Sequence, residues 1–188
     1  TGFISMWISN TATAMMMLPI ALSVIHQLEE LSENKSIGNY SIAILLGVAY
    51  SASIGGVATL VGTPPNLSFI RIFHIYFPEA PQVTFTAWLI FALPFTILFL
   101  LITWLVLYLM YKPRKEGLFH IDRDTFKNQL SDIGKTSYEE KVVFVVFVVV
   151  ALLWLLRADL NFGTFRMKGW SSFLPAGKAI NDGTVAIF

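Results

Sequence analysis

Residues 51–66 read Ser-Ala-Ser-Ile-Gly-Gly-Val-Ala-Thr-Leu-Val-Gly-Thr-Pro-Pro-Asn, and they lie within residues 36–70, a stretch without any charged residue. A stretch of that length can cross a bilayer as a helix. Its middle is predicted to be broken, because Pro64 and Pro65 lack amide hydrogens and a residue before proline avoids helical geometry. Broken backbone at membrane depth occurs only around protein or a water-filled cavity. The stretch therefore indicates an interrupted membrane helix with a polar site at the interruption.

The composition is that of an integral membrane protein. The chain is 55% hydrophobic and 13% charged over 188 residues, whereas roughly a quarter of the residues of a soluble domain are charged. The formal net charge of +1 gives no basic surface for nucleic acid. The sequence has no cysteine, which excludes disulfides and thiolate chemistry. No hydrolytic or redox motif is present, so the sequence does not predict an enzyme.

Residues 1–25 form an apolar segment with the polar triplet Ser9-Asn10-Thr11 near its middle. The arms on either side have about 8 and about 14 residues, each too short to cross about 30 Å of hydrocarbon. Two interpretations fit these lengths equally: a re-entrant hairpin with the triplet at its tip, or one kinked spanning helix.

The rest of the chain is predicted to be all-α and embedded in the membrane. The interrupted helix covers 40–77, and spanning helices cover 86–111 and 142–156. Polar connections are predicted at 26–39, 78–85, 112–141 and 157–182. The basic residues that directly follow the helix ending at residue 111 place 112–141 in the cytoplasm. The chain begins with Thr1 and ends in an apolar run, so we expect it to be the central fragment of a longer protein.

Neutral oxygen ligands are concentrated around the triplet. Hard cations prefer oxygen, a rule stated for calcium and magnesium that we extend to sodium. Ser5 and Ser9, four residues apart, would share one face of a helical arm. Asn10 and Thr11 would cap the second arm and present free backbone amides to an anion. Helix capping alone explains any one of these residues, but it does not explain a polar triplet in the middle of a charge-free segment.

The interrupted stretch carries a second set of small and polar residues. Unwound backbone would supply carbonyls to a cation, and the start of the next half-helix would supply amides to an anion. Close packing of helices through small residues is the alternative; the Thr63–Asn66 run favours a site. These positions are Ser51, Ser53, Gly55, Gly56, Thr59, Gly62, Thr63, Pro64, Pro65 and Asn66.

Neither set contains an ionisable side chain. A permanent lysine would hold an anion at a desolvation cost and release it slowly. Helix dipoles, neutral hydrogen bonds and a bound cation would hold it only while the cation is present. That dependence is the physical basis of a symporter.

The two motifs together closely resemble the divalent anion/sodium symporter family, whose members carry di- and tricarboxylates or sulfate. The first motif is Ser9-Asn10-Thr11-Ala12-Thr13-Ala14 followed by Met15–Pro19, and the second is Gly55-Gly56-x-Ala-Thr-x-x-Gly62-Thr63-Pro64-Pro65-Asn66. Residues Ile180–Thr184 resemble the stretch that enters the family's second half. The resemblance implies two inverted repeats, each with a re-entrant hairpin and an interrupted helix, in a homodimer that moves a transport domain like an elevator.

On that pattern, residues 1–77 belong to the transport domain, and 78–188 contain two spanning helices and the start of the second repeat. The resemblance also implies the roles of individual residues, which fall into two groups. The first sodium site would use Ser5, Ser9, Asn10 and Gly55, with backbone from around Ser51. A substrate carboxylate would contact Asn10 and Thr11 beside a wall formed by Thr63 and Pro64. Ser-Asn-Thr occurs once in this sequence, so the opposing half of the pocket is expected elsewhere.

The sequence thus predicts part of a sodium-coupled secondary transporter for dicarboxylate-type anions of the succinate, malate, fumarate or citrate class. It would lie among the lipids of a bacterial inner (plasma) membrane and need no cofactor beyond the coupling ion. One alternative is a related proton-coupled permease for another anion. A second is a membrane subunit that anchors an enzyme complex without transporting anything.

Overall fold

The fold is described from a computed structural model, which describes residues 1–31, 38–111, 136–161, 166–174 and 184–185. These ranges are mainly α-helical, as predicted. The α-helices are α1 (Gly2–Ser5), α2 (Asn10–Leu31), α3 (Gly38–Gly55), α4 (Pro64–Tyr76), α5 (Phe85–Met110) and α6 (Tyr138–Leu155). A two-residue antiparallel pair, β1 (Leu160–Asn161) and β2 (Arg166–Met167), and a 3-10 helix, Trp170–Phe173, follow α6. Most of the expected cytoplasmic connection 112–141, and Ile180–Gly183, lie outside the described residues.

The first apolar segment is broken at residues 6–9, and the Asn10 and Thr11 residues of the polar triplet begin α2. The chain leaves α1 in a tight turn in which the Met6 amide donates to Phe3 O (3.3 Å) and the Trp7 amide to Ile4 O (3.0 Å). The alternative of one kinked helix over 1–25 does not hold, because residues 6–9 separate α1 from α2. Helix α2 also runs past residue 25 to Leu31, because the residues after His26 include the good helix formers Gln, Leu and Glu.

The predicted interruption lies between α3 and α4. Pro64 and Pro65 are the first two residues of α4, where a missing amide hydrogen costs no helical hydrogen bond. Thr63 is extended, with φ −148° and ψ 140°, as the residue before a proline prefers. The break is shorter than predicted: Ser51 and Ser53 stay within α3, with their hydroxyls donating to Val48 O (3.2 Å) and Ala49 O (3.1 Å).

Two described helices are long and apolar enough to cross a membrane. Helix α5 has 26 residues with a mean hydropathy of 2.6, and its ends lie within one residue of the predicted span 86–111. The Asn10–Glu29 part of α2 has 20 residues with a mean hydropathy of 1.4. Helix α6 begins before the predicted residue 142 because Ser137 and Glu140 form a capping box. The Ser137 hydroxyl accepts from the Glu140 amide, and the Glu140 carboxylate accepts from the Ser137 amide.

Contacts divide the chain into two compact units. The first comprises Thr1–Val83 and Trp88–His120, and its core forms where α3 packs against α1 and α2. Most of its buried side chains are small or polar, and few are large and apolar. They include Ser5, Met6, Thr13, Ala21, Ile25, Ala52, Ala58, Thr59, Leu60, Asn66, Ala92 and Thr96. Small residues allow close approach of helix backbones, as expected of a membrane-embedded bundle.

The second unit comprises Thr84–Ala87 and Ile121–Phe188. Its aromatic contact is between Phe85 and Trp154, whose ring centroids are 5.6 Å apart. The chain after α6 is held by Asp159, which accepts hydrogen bonds from the Gly169 amide and the Ser172 hydroxyl, both at 2.7 Å. These two hydrogen bonds hold the pKa of Asp159 below its ordinary value of 3.8; the bond from Ser172 has the larger effect and the bond from Gly169 the smaller.

We predict that acid loosens this segment. A carboxylate with a depressed pKa contributes stability above its unfolded pKa, and that stability is lost as the pH falls from 3.8 through the lower folded value. Amide hydrogen exchange over residues 157–174, measured from about pH 7 to about pH 3 and corrected for intrinsic exchange rates, should show protection falling at the acid end. Asp159→Asn should remove this step; an equally steep acid step in that variant would contradict the assignment.

Candidate ion and anion site

Three oxygen atoms from three parts of the chain converge where α1 ends. The Ser5 hydroxyl oxygen lies 2.8 Å from Asn10 Oδ1 and 2.6 Å from the carbonyl oxygen of Ala52, and the Ser5 side chain is fully buried. A hydroxyl has one proton, so it donates fully to only one of these acceptors at a time. We call these atoms the oxygen cluster. It has more acceptors than protons, which is the electrostatic setting that a small cation satisfies.

Two glycines allow the elements around the cluster to meet. A Cβ on Gly55 would overlap the carbonyl oxygen of Gly2 and lie 2.8 Å from its Cα, and a Cβ on Gly56 would overlap the Asn10 side-chain amide. Any other residue at these positions would push α1 or Asn10 away. The glycine pair of the second motif thus brings the Ser-Asn-Thr turn against the end of α3.

The start of α2 offers backbone donors beside the cluster. The Ser9 hydroxyl accepts from the Ala12 amide (3.3 Å) and the Ser9 carbonyl from the Thr13 amide (2.9 Å). Ser9 is therefore the cap, and the prediction that Asn10 and Thr11 cap the helix is wrong. Among the described residues, the Asn10 and Thr11 amides have no hydrogen-bond acceptor. Such amides at a helix start attract an anion.

The start of α4 reaches the same region through Gly62. A Cβ on Gly62 would lie 2.9 Å from the Ser5 carbonyl oxygen, so the residue before Thr63 contacts the end of α1. This helix end is poor in donors, since Pro64 and Pro65 have none and the Asn66 amide donates to Thr63 O (3.2 Å). Its dipole favours an anion, but the amides that could bind one lie on α2.

The structure brings together part of the predicted set. Ser5 and Asn10 meet in the oxygen cluster, and Gly55 lies against α1. Ser9 and Thr11 are exposed at the start of α2. The Ser51 hydroxyl bonds within its own helix, and the carbonyl that reaches Ser5 is that of Ala52.

Sequence reasoning missed the Ala52 carbonyl, and it gave no individual role to Thr59 and Thr13, although both lie within the quoted motifs. Thr13 is fully buried, and its hydroxyl has no hydrogen-bond partner among the described residues. Thr13 follows Ser9 by one helical turn, and its place in the first motif was its signal in the sequence. A backbone carbonyl such as that of Ala52 leaves no signal in side-chain patterns.

An open groove in the first unit has the wrong chemistry for an anion. Its lining is apolar and aromatic: Ile54, Val57, Trp88, Phe91, Ala92, Phe95, Thr96 and Phe99. The Trp88 indole donates to Val57 O at 3.0 Å. The described residues hold no group of three or more His, Asp or Glu positioned for a metal ion. The oxygen cluster and the adjacent amides remain the candidate site.

An interrupted helix packed against a broken, polar-tipped segment is the arrangement of a membrane transporter. The chain belongs to the citrate transporter family, whose model matches residues 1–177, and it is an integral membrane protein. It is 37% identical over 194 residues to the sodium-dependent dicarboxylate transporter SdcS of Staphylococcus aureus strains NCTC 8325 / PS 47, COL and N315. These alignments cover 100% of this chain and 35% of each relative, so the chain spans about a third of their length. The resemblance seen in the sequence is confirmed.

A matched pair of glycine substitutions within α3 tests the close contact. Gly55→Ala should destabilise the protein by about 1–3 kcal/mol, because the added methyl meets the backbone of Gly2. Gly47→Ala should be neutral or stabilising by about 0.5–1 kcal/mol, because its Cβ would meet only Leu107 Cδ1 at 3.9 Å. Thermal unfolding of the purified full-length protein measures both. Equal midpoints for the two variants would show that the contact is absent.

Proposed function

We propose that the protein is a sodium-coupled carrier of dicarboxylate-type anions in a bacterial inner membrane. The observation that carries the proposal is the oxygen cluster of Ser5, Asn10 and Ala52 immediately beside the Asn10 and Thr11 amides. One group of atoms suits a small hard cation and the other suits an anion. The relatives, a citrate transporter family and sodium-dependent dicarboxylate transporters, support the same pair of ligands.

Sodium would bind at the oxygen cluster. The proposed ligands are the side chains of Ser5, Ser9 and Asn10 with backbone oxygens near Ser51 and Gly55, and the geometry favours the Ala52 carbonyl among them. An ion there replaces the missing second proton between Ser5 and its two acceptors. Because the protein groups are neutral, the occupied site carries the full positive charge of the ion.

The anion would bind at the start of α2. The Asn10 and Thr11 amides would hold one carboxylate, with Thr63 and Pro64 forming the wall beside it. A helix start contributes about half a positive charge and about 0.3–1 kcal/mol when exposed, or about 2 kcal/mol when partly buried. This is small against the cost of dehydrating a carboxylate. Binding therefore needs the sodium charge, and that need couples the two fluxes.

The wider architecture belongs to the same proposal. Residues 1–25 would form a re-entrant hairpin, and 1–77 would form part of the transport domain of an inverted-repeat homodimer. Residues 78–188 would supply the spanning helices 86–111 and 142–156, the cytoplasmic connection 112–141 and the start of the second repeat. The resemblance to the symporter family and the broken first segment support this arrangement.

Asn10→Ala in the full-length protein tests the site. The substitution removes one cluster oxygen and loosens the contact with Gly56, so sodium-dependent succinate uptake should fall by at least about tenfold, which corresponds to about 1.4 kcal/mol. Ser53→Ala is the matched control, because the exposed Ser53 hydroxyl bonds only to Ala49 O in its own helix. Uptake by purified protein in liposomes, normalised to protein amount, measures both variants.

Three outcomes separate the proposal from its rivals. Wild-type-like uptake by Asn10→Ala would remove the assigned role of Asn10. Undiminished uptake after sodium is replaced by choline would point to a proton-coupled permease. No uptake by the wild type, together with stoichiometric partner subunits in the purified material, would point to a non-transporting membrane subunit. Competition by unlabelled citrate against succinate would then define the anion class.

A further inference from the structure

Thr59 joins the two broken segments. Its fully buried hydroxyl donates to the carbonyl of Met6 and accepts from the Gly62 amide at 3.1 Å. Met6 directly follows Ser5 of the oxygen cluster, and Gly62 precedes the start of α4 by two residues. One hydroxyl therefore ties the chain beside the cluster to the chain that leads into α4.

Asn66 closes the same loop from its other side. Its side-chain amide donates to Gly56 O (3.0 Å) and to Thr59 O (2.7 Å), and the residue is 7% exposed. Asn66 lies in the first turn of α4. Both of its amide hydrogens are thus used on the loop between α3 and α4. We call Thr59 and Asn66 the clasp.

The side-chain hydrogen-bond donors of the clasp are all engaged within the protein. The Thr59 proton and one of its lone pairs are engaged, and the Asn66 amide donors are both taken. The two residues hold Gly56 in place. The α-carbon of Gly56 lies against the Asn10 side-chain amide, and the Gly56 carbonyl accepts a hydrogen bond from Asn66. These contacts form a continuous connection from Asn10 through Gly56 and the clasp to the first turn of α4.

We propose that Thr59 and Asn66 are positioning residues that hold the oxygen cluster in register with the start of α4, and so make anion affinity depend on sodium occupancy. This inference rests on the proposed function. It goes beyond a packing role, because the bonds connect the residue after Ser5 to the helix beside the proposed anion wall.

Thr59→Val and Thr59→Ser in the full-length protein form the test. Valine keeps the shape and removes the hydroxyl, which leaves Met6 O and the Gly62 amide without their partner. We expect the sodium concentration for half-maximal succinate uptake to rise by about fivefold or more. The succinate KM should also lose most of its dependence on sodium. Thr59→Ser, which keeps both hydrogen bonds, should remain close to wild type in both measurements.

A structural role alone would lower the yield of folded protein and its thermal midpoint without changing the sodium half-saturation of the protein that remains. Thr96→Val is the matched control, since Thr96 is a buried threonine whose hydroxyl bonds to Ala92 O (3.0 Å) within α5. Its sodium half-saturation should equal that of the wild type. Should Thr59→Val fail to fold, Asn66→Ser, which leaves room for water at the two carbonyls, should show the same rise.

Several outcomes overturn the inference. Unchanged sodium half-saturation in the folded Thr59→Val or Asn66→Ser protein would do so, as would a serine variant no better than the valine variant. A failure of the proposed function looks different, because the wild type itself would then show no sodium-dependent uptake. If the wild type shows sodium-dependent uptake and Thr59→Val has the same sodium half-saturation, only the role of the clasp is contradicted.

Discussion

Between α3 and α4 the backbone leaves helical geometry, so its amides and carbonyls need partners outside the helix ladder. Side chains supply them: Asn66 donates to Gly56 O and Thr59 O, the Trp88 indole donates to Val57 O, and the Thr59 hydroxyl accepts from Gly62. Unpaired polar backbone in hydrocarbon costs several kcal/mol per group. The same requirement that makes the break tolerable therefore fixes the positions of the residues around the proposed site.

The break itself was predictable because proline chemistry is local. A pair of prolines cannot continue a helix whatever surrounds it, and the structure has the break where Thr63–Pro65 predicted one. Its extent was not predictable. Ser51 and Ser53 remain helical because α3 keeps its ladder up to the contact with α1; their hydroxyls are accommodated by bonds to carbonyls of the same helix. That contact joins residues distant in sequence, which no local pattern reports.

The candidate site divides in the same way. Ser5 and Asn10 were predictable as oxygen-bearing side chains in a charge-free segment, and they do meet. The cap of α2 was assigned one residue too late, because helix boundaries depend on which hydroxyl reaches the third amide and not on composition. The Ala52 carbonyl could not be predicted from the sequence, since every residue has a backbone carbonyl. The Thr59 and Asn66 hydrogen bonds required knowing that residue 6 and residue 59 are neighbours.

The proposed site carries no charged side chain, so the coupling of sodium and anion there would depend on the positions of its atoms. In the proposed function, the Ser5 and Asn10 oxygens would attract a cation only while they face each other, and the Asn10 and Thr11 amides would attract an anion strongly only while that cation is beside them. Both conditions depend on Gly56 lying against Asn10, a contact with no room for a single additional carbon. A displacement too small to unfold anything would separate the oxygens and weaken both ligands together. Tight coupling would thus follow from the absence of charged side chains among the proposed site residues, because none of them would hold either ligand strongly by itself.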